Sequence, residues 1–188
     1  LKPANIMVSK KGEPVVMDFG LARRLDSNEA RVTQNGYIAG TPAYLSPEQV
    51  EGHPDGVGPL SDQYSLGVVL YELLAGQLPF SGSVLSIIGK IAHQDPQALE
   101  ELRPDLDPRV ADICRKMMAR EAAQRFEDMA AVASALNAFL TESKTEAAPD
   151  NQSQWEINQA AAALASVVAS ENQLSHKALA RKKPPLNR

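Results

Sequence analysis

The sequence predicts a mostly α-helical domain with one short β-hairpin near its beginning. Three observations carry that expectation. Between Ser61 and Gly76 the residues Tyr64, Leu66, Val68, Val69, Leu70, Tyr71, Leu73 and Leu74 leave almost no polar face, the mark of a helix buried on all sides. Later stretches, Val84 to His93, Val110 to Met118 and Phe126 to Leu140, repeat apolar residues at helical spacing. Only Ile6-Met7-Val8 and Val15-Val16-Met17 read as β-rich runs, and the polar, glycine-bearing Ser9–Glu13 between them suits a hairpin loop.

Composition sets the outer limits. The chain has 188 residues, 44% hydrophobic and 22% charged, an ordinary soluble composition with room for one sizeable core. A net charge of -4 gives no ground for nucleic-acid or membrane binding. The single cysteine, Cys114, excludes an intramolecular disulfide and fits a reducing, cytoplasmic compartment. It falls in the apolar phase of a helix, so it reads as a small core side chain rather than a reactive thiol. The apolar stretch Ala160–Ala169 is well short of the roughly 20 residues that a bilayer span needs. The first residue is Leu and no signal peptide is visible, as expected of an internal or C-terminal piece of a longer soluble region.

The elements follow in order. The hairpin is expected to bring Asn5 and Asp18 close together. An amide oxygen and a carboxylate held that way suit a hard cation such as Mg²⁺. From Asp18 to Glu48 runs a long polar connection without clear periodicity, with hydroxyls at Ser27, Thr33 and Tyr37; a connection of that length is functional or disordered. Glu51–Leu60, rich in Gly and Pro, is a loop, and His53 within it has no neighbours to complete a metal site. Ser61 is the expected N-cap of the buried helix and Gly76 its stop. Val84, Ile87, Ile88 and Ile91 form the apolar face of a short amphipathic helix, and Pro104 and Pro108 bracket a turn. Val110, Ile113, Cys114, Met117 and Met118 mark the next helix, and Met129, Val132, Ala133, Leu136 and Phe139 the last. Thr141–Gln154 is a linker by composition, and Trp155–Ala180 an Ala-rich, partly helical tail ending in Arg181-Lys182-Lys183. The expected division is therefore 1–140 and 141–188.

Leu1-Lys2-Pro3-Ala4-Asn5, Asp18-Phe19-Gly20, Gly40-Thr41-Pro42-Ala43-Tyr44 and Ser46-Pro47-Glu48 occur in that order. Each is ordinary alone. Together they resemble the catalytic loop, metal-binding motif and activation segment of eukaryotic-type protein kinases, the bacterial serine/threonine kind in particular. The resemblance implies the large lobe of that fold over residues 1–140, with the small lobe missing. It also implies transfer of the γ-phosphoryl group of ATP to Ser or Thr of a protein substrate, with Mg²⁺.

Roles carry over by position. Lys2 resembles the lysine that steadies the γ-phosphoryl, Asn5 the amide on the second Mg²⁺, and Asp18 the carboxylate that bridges metal and phosphates. Phe19 corresponds to the packing switch and Gly20 to the hinge beside it. Thr41 contacts the catalytic lysine and aspartate in the family and supports catalysis. Arg23 and Arg24 follow as a docking site for phosphate on the segment, with Thr33 the best acceptor. Glu48 is expected to pair with Arg125, although Glu121-Ala122 stands where the family has Asp-Pro, and Ser46 where Ala is commoner. Asp62-Gln63-Tyr64-Ser65-Leu66-Gly67 resembles the start of the family's central helix. There Asp62 accepts from the catalytic-loop backbone, and it is expected partly in the interior.

The 188 residues hold no glycine-rich loop, β3 lysine, αC glutamate or catalytic-base aspartate. The chain alone is therefore expected to be inactive and poorly stable, with Asp62 a buried charge short of donors. The rival reading is a non-catalytic, pseudokinase-like interaction module or remnant, against which the intact Lys2, Asn5 and Asp18 speak. A regulatory dimer of the parent kinase also belongs to what the resemblance implies.

Overall fold

The computed structural model describes residues 1–10, 14–17, 42–52, 56–146 and 155–168, and the fold is that of these residues. A 3₁₀ turn over Pro3–Asn5 leads into β1 (Ile6–Val8), which pairs antiparallel with β2 (Pro14–Val16). Ile6 faces Val16, Met7 faces Val15 and Val8 faces Pro14. The second strand thus starts one residue before its β-branched run. A proline is accepted at the first position of a strand, where its missing N–H breaks no inner ladder bond. Val16 is buried, while Met7, Val8, Val15 and Met17 are exposed.

Helices make up most of the rest, as the periodicity predicts. A 3₁₀ turn at Pro42–Tyr44 precedes α1 (Pro47–Glu51), α2 (Pro59–Ala75), α3 (Val84–His93), α4 (Leu99–Leu102) and α5 (Pro108–Met117). A 3₁₀ turn at Ala122–Gln124, α6 (Met129–Glu146) and a further helix, α7 (155–168), complete the described chain.

The central helix is α2, buried without a break from Gln63 to Tyr71. Its start differs from the expectation. Proline at position 59, whose fixed φ suits a first helical turn, lets the helix begin earlier with Gly58 as N-cap. Ser61 is therefore inside the helix, and its hydroxyl accepts from the Gly58 N–H at 3.3 Å. The stop at Gly76 is as expected: its φ of 70° is left-handed, where a Cβ would be strained. Leu73, counted among the apolar residues of this helix, is 55% exposed in its last turn.

One core joins α2, α5 and α6. Leu66, Leu70 and Leu74 meet Val110, Cys114 and Met117, and Val132, Leu136 and Phe139 complete the cluster. Cys114 is buried and its thiol is pushed up by that burial, with the Glu100 charge adding to it, which suits a core side chain. A smaller cluster sets Phe80, Ile87 and Ile91 against Leu45 and Val50. Val84, at the start of the amphipathic face of α3, is instead 47% exposed.

The C-terminal part departs from the compositional reading in two places. Helix α6 begins at Met129 rather than Phe126, with Asp128 Oδ1 accepting from Ala131 N at 2.8 Å. It then continues to Glu146, through residues whose polarity suggests a linker. Polar residues cost a helix little where they face solvent, and Thr141 and Glu142 are exposed. Beyond it, α7 places Ile157, Ala161, Leu164 and Val168 in the same core. Those four recur at helical spacing, so one stripe of the Ala-rich segment is apolar and buried.

Candidate active site

Lys2 and Asn5 flank the first turn. The Asn5 N–H donates to the Lys2 carbonyl at 2.9 Å, and the Asn5 carbonyl accepts from Met17 N at 2.7 Å. Asn5 is thus hydrogen-bonded to the residue just before Asp18. Asp18 itself lies outside the described residues, as do Phe19, Gly20, Arg23, Arg24, Ser27, Thr33, Tyr37, Gly40, Thr41 and His53. Among the described residues no group of three His, Cys, Asp or Glu side chains comes together to hold a metal. The oxygen ligands that Asn5 and Asp18 offer are of the kind that Mg²⁺ takes.

Asp62 lies in the first turn of α2 beside Leu1, as the resemblance implies, but is more exposed than expected. Its side chain is 56% exposed and stands 3.6 Å from the Leu1 nitrogen. In the first turn of α2 the side chain can reach water, and the helix dipole favours its charge there. The expected penalty of a buried, unpaired carboxylate therefore does not arise.

Glu48 and Arg125 do meet. Arg125 Nη1 donates to Glu48 Oε1 and Nη2 to Oε2, both at 2.9 Å, a bidentate pair. The arginine side chain is fully buried and that of Glu48 is 12% exposed. A buried guanidinium is costly unless every donor is matched. Here Nη1 also donates to Leu60 O at 2.8 Å, Nη2 to Arg120 O at 3.1 Å and Nε to Ala119 O at 2.8 Å. That gives each of the five guanidinium N–H groups an acceptor. The Tyr64 ring lies under the guanidinium, 5.1 Å from its centre.

Glu48 has a second partner, the Ser61 hydroxyl, which donates to Oε1 at 2.6 Å. Burial alone would raise the Glu48 pKa; hydrogen bonds from Arg125 and Ser61 outweigh it and hold the carboxyl at about 2. Burial likewise pushes the Tyr64 hydroxyl up to about 12.

Two further contacts seat the Pro42–Glu48 stretch on α2. The Tyr44 hydroxyl donates to Glu72 Oε2 at 2.7 Å, and the Ser65 hydroxyl donates to the Tyr44 carbonyl at 2.7 Å. Burial, then the bond and charge of Glu72, raise the Tyr44 hydroxyl well above its ordinary range. Ser46, by contrast, is fully buried with no partner for its hydroxyl among the described residues.

Sequence reasoning misses Gln63 and the role of Ser61. Gln63 is fully buried; its Oε1 accepts from Phe126 N at 3.0 Å and its Nε2 donates to Phe126 O at 3.2 Å. The one available signal is an amide inside a helix whose other faces are apolar.

The protein kinase domain family matches residues 1–137. The serine/threonine-protein kinase PknB of Mycolicibacterium smegmatis is 40% identical over 131 residues, 69% of this chain and 21% of that protein. A probable serine/threonine-protein kinase of Corynebacterium efficiens is 37% identical over 153 residues, 79% of this chain and 23% of its own length. The serine/threonine-protein kinase PknA of Mycobacterium tuberculosis is 39% identical over 127 residues, 67% of this chain and 28% of that protein. The chain thus spans between a fifth and a third of the length of these relatives. A mostly helical fold with one hairpin, a bidentate Glu48–Arg125 pair and a family match over most of its length agree: the chain belongs to the protein kinase family and is like the bacterial serine/threonine kinases.

Proposed function

We propose that the chain is the large-lobe segment of a cytoplasmic serine/threonine kinase that transfers the γ-phosphoryl group of ATP to a protein hydroxyl. The observation that carries this is the hydrogen bond between Asn5 and Met17, which ties the catalytic-loop motif to the residue preceding Asp18. In the reaction a substrate hydroxyl oxygen forms a bond to the γ-phosphorus while the bond to the β–γ bridging oxygen breaks and ADP leaves. The hydroxyl proton passes to a base that these 188 residues do not supply.

Asn5 and Asp18 would hold Mg²⁺, which neutralises phosphate charge when bound. Lys2 places an ammonium one turn away to bind the γ-phosphoryl oxygens, and Thr41 supports that lysine. Glu48 and Arg125 fix the end of the segment on which the substrate lies. Residues 1–140 form the kinase part proper and 141–188 an appended segment; by itself the chain does not turn over. Phosphate on Thr33 switches the segment on, and a regulatory dimer of the whole kinase is part of the same reading.

The test is Asp18→Ala in the kinase that carries this chain. Phosphotransfer should fall to roughly a thousandth or less at any practical Mg²⁺ concentration, as expected when an electrostatic anchor of the transition state is lost. Near-normal turnover in that variant would refute the assignment.

A further inference from the structure

We infer that Gln63 is a positioning residue for the Glu48–Arg125 anchor, acting through the backbone of Phe126. The inference rests on the reading of that pair as the anchor of a substrate-binding segment.

Gln63 is completely buried in α2, among apolar neighbours on its own helix. A buried amide is costly unless both its ends are bonded. Its donor and its acceptor both go to one residue, Phe126, 63 positions away. Phe126 directly follows Arg125: its N–H lies in the peptide unit that joins it to Arg125 and its carbonyl in the next unit, so the two bonds hold the backbone on both sides of Phe126, next to the arginine Cα. A single bond would hold the chain on one side of Phe126; two hold it on both.

Neighbouring groups on the same end of α2 act on the same pair. Leu60 O accepts from Arg125, Ser61 donates to Glu48, and the Tyr64 ring lies under the guanidinium. Of these α2 groups Gln63 is the one that holds backbone, adding to the Arg125 N–H bond to Ala122 O at 3.1 Å. With all five guanidinium donors engaged, a small rotation of the 125–126 backbone would break several bonds together, and here an amide prevents it. The Lys116 ammonium lies over the Phe126 ring, 4.3 Å from its centre.

The alternative is that Gln63 merely fills space. Gln63→Met separates the two, since methionine has a similar length and shape and cannot bond Phe126. Leu136→Ala, which opens a cavity in α6, serves as a control for general destabilisation. Both variants are made in the kinase that carries this chain. Three quantities are read: hydrogen exchange at the Phe126 amide, the nuclear-resonance signal of Arg125 Nε–H, and the KM for protein substrate separately from that for ATP.

Positioning predicts that Gln63→Met speeds Phe126 exchange by about tenfold or more and weakens the Arg125 signal. The KM for protein substrate should rise while that for ATP stays, and Leu136→Ala should do none of these at equal loss of stability. Equal responses of the two variants, or wild-type exchange and signal in Gln63→Met, would overturn the inference. Should Gln63→Met not fold, Gln63→Glu replaces it: it keeps the acceptor for Phe126 N but loses the donor to Phe126 O, so an unchanged Arg125 signal together with an unchanged KM for protein substrate would then overturn the inference. An inactive wild-type protein would count against the kinase reading alone, because the exchange and resonance arms still decide the role of Gln63.

Discussion

Glu48 and Arg125, 77 residues apart, share two parallel hydrogen bonds of 2.9 Å in a nearly dry setting. Removing one partner strands the other charge, which typically costs roughly 3–5 kcal/mol. Arg125→Met should lower the unfolding free energy by about that amount in urea titrations. A loss below about 1 kcal/mol would mean that solvent reaches the site.

The same pair makes stability depend on pH. The Glu48 carboxyl sits at about 2 in the folded chain against an ordinary 4.5. A depressed carboxylate contributes stability above its unfolded value and loses it as pH falls through the folded one. The stability difference between wild type and the Glu48→Gln/Arg125→Met double variant should therefore be constant above about pH 5 and change progressively as pH falls toward 2. Urea midpoints across that range provide the measurement, and a difference that is flat throughout contradicts it.

Ser46 carries a hydroxyl that is buried and unbonded among the described residues. Among the described residues its removal breaks no bond, and it relieves a desolvation cost. Ser46→Ala should stabilise the chain by about 1 kcal/mol, seen as a higher urea midpoint at unchanged slope. A destabilised variant would show that the hydroxyl caps α1 in solution.

Gly67 is where α5 lies against α2. A Cβ there would stand 2.7 Å from Met118 Cγ and 3.0 Å from Met117 Cβ, and the Gly67 carbonyl receives the Cys114 thiol at 3.5 Å. Met118 can swing aside more easily than the Met117 Cβ, which is fixed to its own helix. Gly67→Ala should cost about 1–3 kcal/mol by thermal or urea unfolding. A neutral effect would mean that the two helices separate freely.

Thr33 is the proposed activating phosphosite. Mass spectrometry of the active kinase should find phosphate there, and Thr33→Ala should cut activity by about tenfold while the melting curve is unchanged. Full activity of an unphosphorylated Thr33 would refute the proposal.

What the sequence determined by itself was what repeats or recurs locally. The apolar runs at helical spacing gave α2, α3, α5 and α6, because burial on one or all faces leaves a periodic trace. The ordered motifs gave the family and the partnership of Glu48 with Arg125, since chemistry restricts residue type at each of those positions. The tertiary structure decided what depends on the partner of each residue. Asp62 stands in the first turn of α2 beside the Leu1 nitrogen rather than in the interior. Helix α6 runs past Leu140 to Glu146, and α7 enters the core, which composition cannot show for an Ala-rich stripe. Gln63 reads as one polar residue among apolar ones until Phe126 is set beside it. Local propensity is written in adjacent residues, whereas the worth of a buried polar group is set by what the fold brings to it from far along the chain.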